Sequence, residues 1–318
     1  MIMRFMFLLL AAGSVACTVD ETVDSAKGDP NLTITPESGD PEGIDESVFA
    51  LLNLDYPGLE KVKSFYEEED MYMAAYYLLE YYRSRTEVYN SNPDLVNPTL
   101  TVAEKRIADQ ALEGRFYVKY GGVESVDEVT GIETYWSFLD ADGNVDWTYL
   151  PQGVDYKSEF SYQKNRHQWM LPQAKAYRAT GNEDYFNNWI DSYWSWLEKY
   201  PCPEGKTSQM EWTGLQLSSR ISVQTEILWY YIHSSGFTPA LLTKFLKALY
   251  QHVECQRSNW YNTATSNIRL SQEQAFTIAA IMYPEFAKSE EWLSEGASAT
   301  ANQLENQFLE DGVHHEFE

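Results

Sequence analysis

A succession of amphipathic helical segments joined by short connections constrains the fold of this chain most strongly. In the second half of the 318-residue sequence, apolar residues recur at helical spacing and polar residues mark the segment ends. We predict six helices in this half. Four lie at about Glu159–Thr180, Glu211–Ser234, Ile268–Tyr283 and Glu290–Leu309, and the other two begin after caps at Asn182 and Thr238. Short connections favour antiparallel pairs, so successive pairs predict an α/α toroid or a solenoid, although no fixed-period repeat is present.

The first half of the chain has a less regular pattern. Apolar residues at helical spacing predict two short helices, near Leu59–Tyr66 and Ala74–Tyr82. Strand-like patches follow at Arg115–Lys119 and Glu133–Phe138, beside turns that contain glycine. The predicted fold class is therefore mainly all-α, with a few short strands.

Residues 1–17 have the pattern of an export signal. Arg4 precedes an apolar run that is too short to cross a bilayer, and small residues lead to Cys17. The ending Ser-Val-Ala-Cys predicts a lipoprotein in which Cys17 carries lipid, and an ordinary secretory signal cut nearby is the alternative. Residues 18–47 are acidic and lack apolar periodicity, which predicts a flexible tether. We expect an exported protein, either an outer-membrane or cell-surface lipoprotein or a periplasmic protein.

The charge of the chain restricts its partners. The chain has 48 Asp and Glu residues against 23 Lys and Arg residues, which gives a formal net charge of −25. Nucleic-acid binding needs a cationic face and docking on an anionic membrane needs basic residues, so we expect neither, and membrane contact only through the lipid anchor. The three cysteines cannot form a disulfide framework, and the five histidines show no zinc-binding spacing. We predict no metal ion and no cofactor.

Three clusters combine polar side chains with aromatic residues. Aromatic rings stack on sugar faces, and Arg, Asn and His side chains bind hydroxyl and carboxylate groups, so these clusters predict a carbohydrate site. The candidates are Asn165, Arg166, His167 and Trp169 in the first cluster, Trp212 and Arg220 in the second, and Asn267 and Arg269 in the third.

Each cluster also has a structural interpretation. A single histidine within a helix, such as His167, is often a buried structural group. Asn267 stands where a helix N-cap is expected, and the arginines are compatible with surface ion pairs. The adjacent His314 and His315 would point in different directions, so they do not predict a metal site.

The order of these motifs resembles the N-terminal domain of the heparinase II/III-type polysaccharide lyases, and within that family the heparinase III group. The resemblance covers about residues 48–318. It rests on the segments DYPGL at 55–59, DWTYLPQG at 146–153, EFSYQKNRHQW at 159–169, EWTGLQLSSRI at 211–221, SNIRLSQEQ at 266–274 and DGVHHEFE at 311–318.

The resemblance implies an incomplete α/α toroid followed by a β-sandwich, and cleavage of uronic-acid glycans of the heparan sulfate type by β-elimination. It implies that Asn267 neutralises the uronate carboxylate and that Glu316 belongs to the substrate-binding site. In this family a tyrosine shortly after the DG…E motif and a histidine of the sandwich assist proton transfer. Because the sequence ends at Glu318, we expect the sandwich and both groups to be absent and the chain to be inactive alone.

Two other functions are compatible with the sequence. A surface lipoprotein of the same fold would bind glycans without cleaving them. A glycoside hydrolase with an α/α toroid would need two carboxylates about 5–9.5 Å apart across the cleft, and the sequence selects no such pair. The acidic chain repels polyanions at long range, so a less sulfated uronate glycan is the favoured ligand.

Overall fold

Helices make up most of the computed structural model, which describes residues 43–85, 99–118, 135–152, 157–261 and 266–313. The helices are α1 (Glu60–Glu67), α2 (Met71–Ser84), α3 (Val102–Leu112), α4 (Lys157–Lys164), α5 (Met170–Thr180), α6 (Glu183–Lys199), α7 (Gly214–Tyr231), α8 (Pro239–Ser258), α9 (Asn267–Met282) and α10 (Ser289–Gln307). Strands β1 (Phe116–Tyr117) and β2 (Tyr135–Trp136) pair antiparallel. The predicted fold class is confirmed.

Polar caps fix several helix ends where the sequence predicted them. The Asn182 side chain accepts a hydrogen bond from a backbone N–H of the first turn of α6, and Thr238 does the same for α8. Pro239 occupies the first position of α8, where its missing N–H removes no helical bond. Helix α5 ends at Gly181, whose φ of 71° is a left-handed conformation that glycine adopts without strain.

Two predicted helices are interrupted in the structure. The segment predicted as one helix at Glu159–Thr180 forms α4 and α5, with a break between them at residues 165–169. The segment predicted at Glu211–Ser234 begins as a 3₁₀ turn at Met210–Trp212 and continues as α7 after an extended residue, Thr213. Both breaks lie in motifs that the sequence singled out as site candidates.

The helix contacts define two layers. Helices α3, α5, α7 and α9 contact one another in that order and form the inner layer, while α6, α8 and α10 each pack on the inner helix that precedes them. Nearly every residue of α5 from Pro172 to Tyr177 is buried, as expected for a helix with neighbours on several sides. Among the described residues no extensive contact joins α3 to α9, so the toroid is incomplete.

The N-terminal segment packs on the connection between α9 and α10. Leu52 and Phe286 form an antiparallel bridge, and the backbone N–H of Asn53 donates to the carbonyl of Glu285 at 2.7 Å. The buried carboxylate of Glu285 accepts hydrogen bonds from Tyr81 at 2.6 Å and Tyr82 at 3.3 Å. It also forms an ion pair with Arg85. These contacts fasten α2 to residues about 200 positions later in the chain.

One apolar core extends through both layers. It is rich in aromatic side chains, and five tryptophans are fully buried: Trp169, Trp189, Trp196, Trp212 and Trp292. Within the described ranges, no helix combines the length and the apolar character that crossing a bilayer requires.

Candidate active site

His167 lies at the break between α4 and α5 and has a left-handed backbone, with φ of 57°. Its ring is fully buried, with its centre 5.0 Å from the ring of Trp196 and 5.4 Å from that of Trp147. Among the residues that the structure describes, neither ring nitrogen has a hydrogen-bond partner. Burial, followed by the charge of Arg220 and by His252, lowers its pKa well below the usual value. The ring is therefore neutral at physiological pH.

Arg220, on α7, is the buried cation beside this histidine. Its Nη1 donates to the carbonyl oxygen of Asn165 at 2.9 Å, and its Nε donates to Nε2 of His252 at 3.3 Å. The guanidinium lies 4.0 Å from the ring centre of Trp196, a cation–π contact. Burial lowers its pKa to about 9, so it stays protonated at neutral pH. Among the described residues no carboxylate forms an ion pair with it.

His252, on α8, holds the other side of Arg220. Its Nδ1 lies 2.7 Å from the carbonyl oxygen of Ala248. Since Nε2 accepts from Arg220, Nδ1 must carry the proton and donate to Ala248. Burial and the charge of Arg220 lower the pKa of His252 to about 3, so this ring is also neutral.

Sequence reasoning missed His252, although a signal was present. In the sequence after Thr238, the apolar residues Phe245 and Leu249 recur at helical spacing, and His252 continues that stripe. A polar residue on a buried helix face needs a partner inside the protein. That partner is Arg220, 32 positions earlier in the chain.

Three predicted substrate-binding residues have structural contacts in the interior. The Asn165 side chain donates to the Ser161 carbonyl and accepts from Nε1 of Trp196, each at 2.8 Å. Trp169 and Trp212 have no exposed surface, and both pack against other aromatic rings. The prediction that one of these two rings stacks on a sugar is therefore corrected, because neither presents a face to solvent.

Asn267 and Arg269 belong to a second group at the start of α9. Ser266, not Asn267, caps this helix, since its side chain accepts from the N–H of Ile268 at 3.1 Å. The cap interpretation of Asn267 is therefore wrong, and Asn267 is exposed in the first turn. Arg269 forms an ion pair with the buried Glu273, and its guanidinium lies 4.4 Å from the ring centre of Trp260.

The first turn of α9 is suited to an anion. Its backbone N–H groups and helix dipole attract negative charge, and it contains no acidic residue. No described hydrogen bond or ring contact joins this turn to His167 or Arg220. The structure thus brings Asn165, His167, Trp212 and Arg220 together, while convergence of Asn267 and Arg269 on the same cleft stays a prediction.

The remaining candidates have separate positions. Arg166 is half-buried at the break between α4 and α5, where burial lowers its pKa. Cys17, Glu316 and the pair His314 and His315 lie outside the described residues. Within the part of the chain that the structure describes, no three His, Cys, Asp or Glu side chains are grouped as a metal site would require.

A surface depression of about 400 Å³ lies at α1, where no site was predicted. Three carboxylates, of Asp55, Glu60 and Glu67, and a single lysine, Lys63, line it. This charge opposes the binding of an acidic ligand, so the depression does not compete with the start of α9 as a candidate anion site.

The chain therefore has the fold of an incomplete two-layer toroid of helix pairs, with Asn-Arg-His at residues 165–167 and Ser-Asn-Ile-Arg at residues 266–269. The sequence model of the heparinase II/III N-terminus matches residues 48–318, and this chain belongs to that family.

Curated relatives are similar to this chain over most of its length. A heparin-sulfate lyase of Bacteroides thetaiotaomicron is 37% identical over 303 residues, which are 94% of this chain and 42% of the relative. A heparin-sulfate lyase of Bacteroides stercoris is 31% identical over 83% of this chain and 40% of its own length. The chain therefore spans about two-fifths of the length of the curated relatives that it matches.

Solved structures show the same fold. A crystal structure of heparinase III superposes with a TM-score of 0.76 at 39% identity, over 86% of this chain and 40% of that one. A heparan sulfate lyase from Pedobacter heparinus superposes with a TM-score of 0.69 at 26% identity, over 85% of this chain and 41% of that one.

Proposed function

We propose that this chain is the toroid domain of a polysaccharide lyase that cleaves uronic-acid-containing glycans of the heparan sulfate type by β-elimination. The observation that carries the proposal is its 37% identity to a heparin-sulfate lyase across nearly the whole chain. Since the chain spans about two-fifths of such relatives, the proposal assigns to it the binding of the glycan and the neutralisation of the uronate carboxylate.

The chemistry of β-elimination explains why an amide side chain is suited to neutralise the uronate carboxylate. The proton at C5 of a uronate is weakly acidic, and β-elimination proceeds only when the negative charge that develops beside it is stabilised. Asn267 can donate hydrogen bonds to the carboxylate without releasing a proton of its own. Its place in the first turn of α9 adds the positive end of the helix dipole.

The long-range charge of the chain opposes this ligand, so local cations must offset it. With a net charge of −25 the chain repels a polyanion, and salt screens this repulsion beyond a Debye length, which is about 8 Å at physiological ionic strength. Within that distance the charges of nearby side chains determine whether the ligand is attracted. Arg269 and Arg166 are the partly exposed arginines of the predicted clusters, and we assign them to neighbouring sugars.

We assign a positioning role to the buried group of His167, Arg220 and His252. Arg220 holds the Asn165 carbonyl at the break before α5, so it fixes the backbone from which Arg166 projects. A residue with no exposed surface can act on a glycan only through such neighbours.

The direct test joins this chain to the remaining three-fifths of the Bacteroides thetaiotaomicron relative. The chimera should release unsaturated uronate products from heparan sulfate, detected by their ultraviolet absorbance, and none from a neutral glucan. Binding of heparan sulfate without product from a folded chimera would favour a glycan-binding protein. Hydrolysis that yields saturated ends would favour a glycosidase.

We also propose export and lipidation at Cys17, on the pattern of residues 1–17. Cells that express the chain should incorporate radioactive fatty acid into it, and Cys17→Ser should abolish the label. Equal labelling of both proteins would refute the anchor. A secreted but unlabelled protein would favour an ordinary signal peptide.

A further inference from the structure

Two cysteines lie together near the buried arginine, and the proposed function uses neither. Cys202 is in the connection between α6 and α7, and Cys255 is in the last turn of α8. Both are free thiols in the structure, Cys255 buried and Cys202 partly exposed. Apart from Cys17 in the predicted export signal, the sequence contains no other cysteine. Within residues 18–318, an intramolecular disulfide can therefore join only these two.

A backbone contact places the Cys202 thiol beside α8, one helical turn from Cys255. The sulfur of Cys202 lies 3.7 Å from the carbonyl oxygen of Gln251. Gln251 precedes Cys255 by one helical turn, and a helical side chain leans over the turn that precedes it. The Cys255 side chain therefore extends toward the position that Cys202 occupies. The Cys255 sulfur in turn lies 3.8 Å from the carbonyl oxygen of Trp212, in the same connection that carries Cys202.

The surroundings favour one proton arrangement within the pair. Hydrogen bonding from Cys202, assisted by the charge of Arg220 and by the amide of Asn259, lowers the pKa of the Cys255 thiol against the opposing effect of burial. The same hydrogen bond, together with burial, raises the pKa of Cys202. A thiolate is the nucleophile of disulfide exchange, so Cys255 is prepared for attack on a neighbouring sulfur.

We propose that Cys202 and Cys255 form a reversible disulfide that ties the α6–α7 connection to α8. The oxidant is a disulfide-bearing thiol compound or oxidoreductase of an oxidising compartment. The partly exposed Cys202, after losing its proton, attacks the oxidant disulfide, forms a mixed disulfide and expels one thiolate. Cys255 thiolate then attacks the Cys202 sulfur and expels the second thiolate. Two thiols lose two protons and two electrons, and the oxidant disulfide becomes two thiols.

The bond would hold the site residues in place. The connection between Cys202 and α7 carries Trp212, whose carbonyl oxygen lies 3.8 Å from the Cys255 sulfur and whose ring centre is 5.2 Å from the Arg220 guanidinium. A covalent link across this point restricts the unfolded chain and keeps the Trp212 turn against α8. Its reduction would loosen the surroundings of Arg220 without removing any of its hydrogen-bond partners.

The test uses the full chain with Cys17→Ser, so that only the two thiols of interest remain. After incubation with oxidised glutathione, denaturation and alkylation, we expect no alkylated cysteine, a mass lower by two hydrogens, and a linked peptide pair that contains Cys202 and Cys255. After dithiothreitol both cysteines should be alkylated. Two alkylated cysteines, or stable glutathione adducts in place of the link, would overturn the proposal.

Thermal unfolding provides a second measurement. The oxidised chain should unfold at a temperature about 4 °C or more above that of the reduced chain. The matched control is Cys202→Ser in the same background, whose melting temperature should not respond to dithiothreitol. An equal response in the control would show that the shift does not come from this bond.

Discussion

At the scale of single residues, a charged group that pairs with no carboxylate of the described residues organises the interior. Arg220 is fully buried and depends on the Asn165 carbonyl, the neutral His252 ring and the face of Trp196. From the sequence we identified Arg220 and Asn165 as candidates but predicted that they bind the substrate. The sequence could not separate a buried arginine from a ligand-binding one, because both use the same donors and aromatic faces.

The geometry of Arg220 predicts that lysine cannot replace it. A lysine ammonium cannot donate to Asn165 and His252 along the guanidinium directions, and it stacks less well on Trp196. We expect Arg220→Lys to lower the free energy of unfolding by about 2 kcal/mol or more, measured by urea denaturation. The control is Arg257→Lys at the surface, whose ion pairs with Glu291 and Glu295 are worth at most about 1 kcal/mol. Equal losses in the two variants would contradict this account of Arg220.

The neutral His252 predicts a loss of stability in acid. Its pKa is about 3 in the folded chain and near 6.5 when unfolded, so between these values the unfolded chain binds the extra proton. Stability is therefore present above about pH 6.5 and is lost as the pH falls. From pH 7.5 to pH 5 we expect a loss of about 2 kcal/mol from this group.

Comparing the wild type with a variant isolates the contribution of His252 to the pH dependence of stability. Burial of Glu285 raises its pKa and acts in the opposite direction over part of this range, and His167 acts in the same direction as His252. The free energy of unfolding is measured by urea denaturation for the wild type and for His252→Gln at both pH values. The contributions of Glu285 and His167 are the same in both proteins and cancel in the difference. The variant should lose about 2 kcal/mol less on acidification. An identical loss would mean that His252 is already protonated in the fold.

At the scale of helices, local patterns predicted the caps but not the breaks. Asn182, Thr238 and Gly181 act within one turn of the chain, so the sequence around them was sufficient. The break before α5 depends on Arg220, which binds the Asn165 carbonyl that a continuous helix would use for the N–H of Trp169. Arg220 lies 55 positions from Asn165 in the chain, so the local periodicity around Asn165 could not predict this hydrogen bond.

Helix α10 packs closely on α9 because Gly296 has no side chain at the contact. At Gly296 an added Cβ would lie 2.3 Å from Oγ1 of Thr277 and 3.3 Å from its Cα. We expect Gly296→Ala to lower the free energy of unfolding by about 1–3 kcal/mol, because α10 must move away from α9. Ser298→Ala, at an exposed position of the same helix, should change it by about 0.5 kcal/mol or less. Stabilisation by Gly296→Ala would show that the helices are not in close contact.

At the scale of the whole molecule, we propose that the toroid shares the chemistry of cleavage with groups outside the matched segment. We propose that carboxylate neutralisation takes place at the start of α9, and the resemblance implies proton transfer by a tyrosine and a histidine beyond the matched segment. The fold was predictable because many helices carry the same signal. The relative placement of Asn267 and His167 was not, because it depends on how α4, α7 and α9 pack.

The isolated 318-residue chain should therefore show no measurable lyase activity. The resemblance assigns the removal and delivery of protons to groups beyond the matched segment, and without general acid–base catalysis the elimination is too slow to detect. The measurement is the ultraviolet absorbance of unsaturated uronate after incubation with heparan sulfate, with the chimera as positive control. Product formed by the isolated chain would show that its own residues transfer the protons.

The account depends most on Asn267 as the group that neutralises the uronate carboxylate. In the chimera, Asn267→Ala should lower turnover of heparan sulfate by more than tenfold, about 1.4 kcal/mol of barrier, with the melting temperature unchanged. Asn187→Ala, at an exposed position on α6, should leave turnover unchanged. If the rate constant of Asn267→Ala equals that of the unmodified chimera, another group neutralises the carboxylate and the assignment of this site fails.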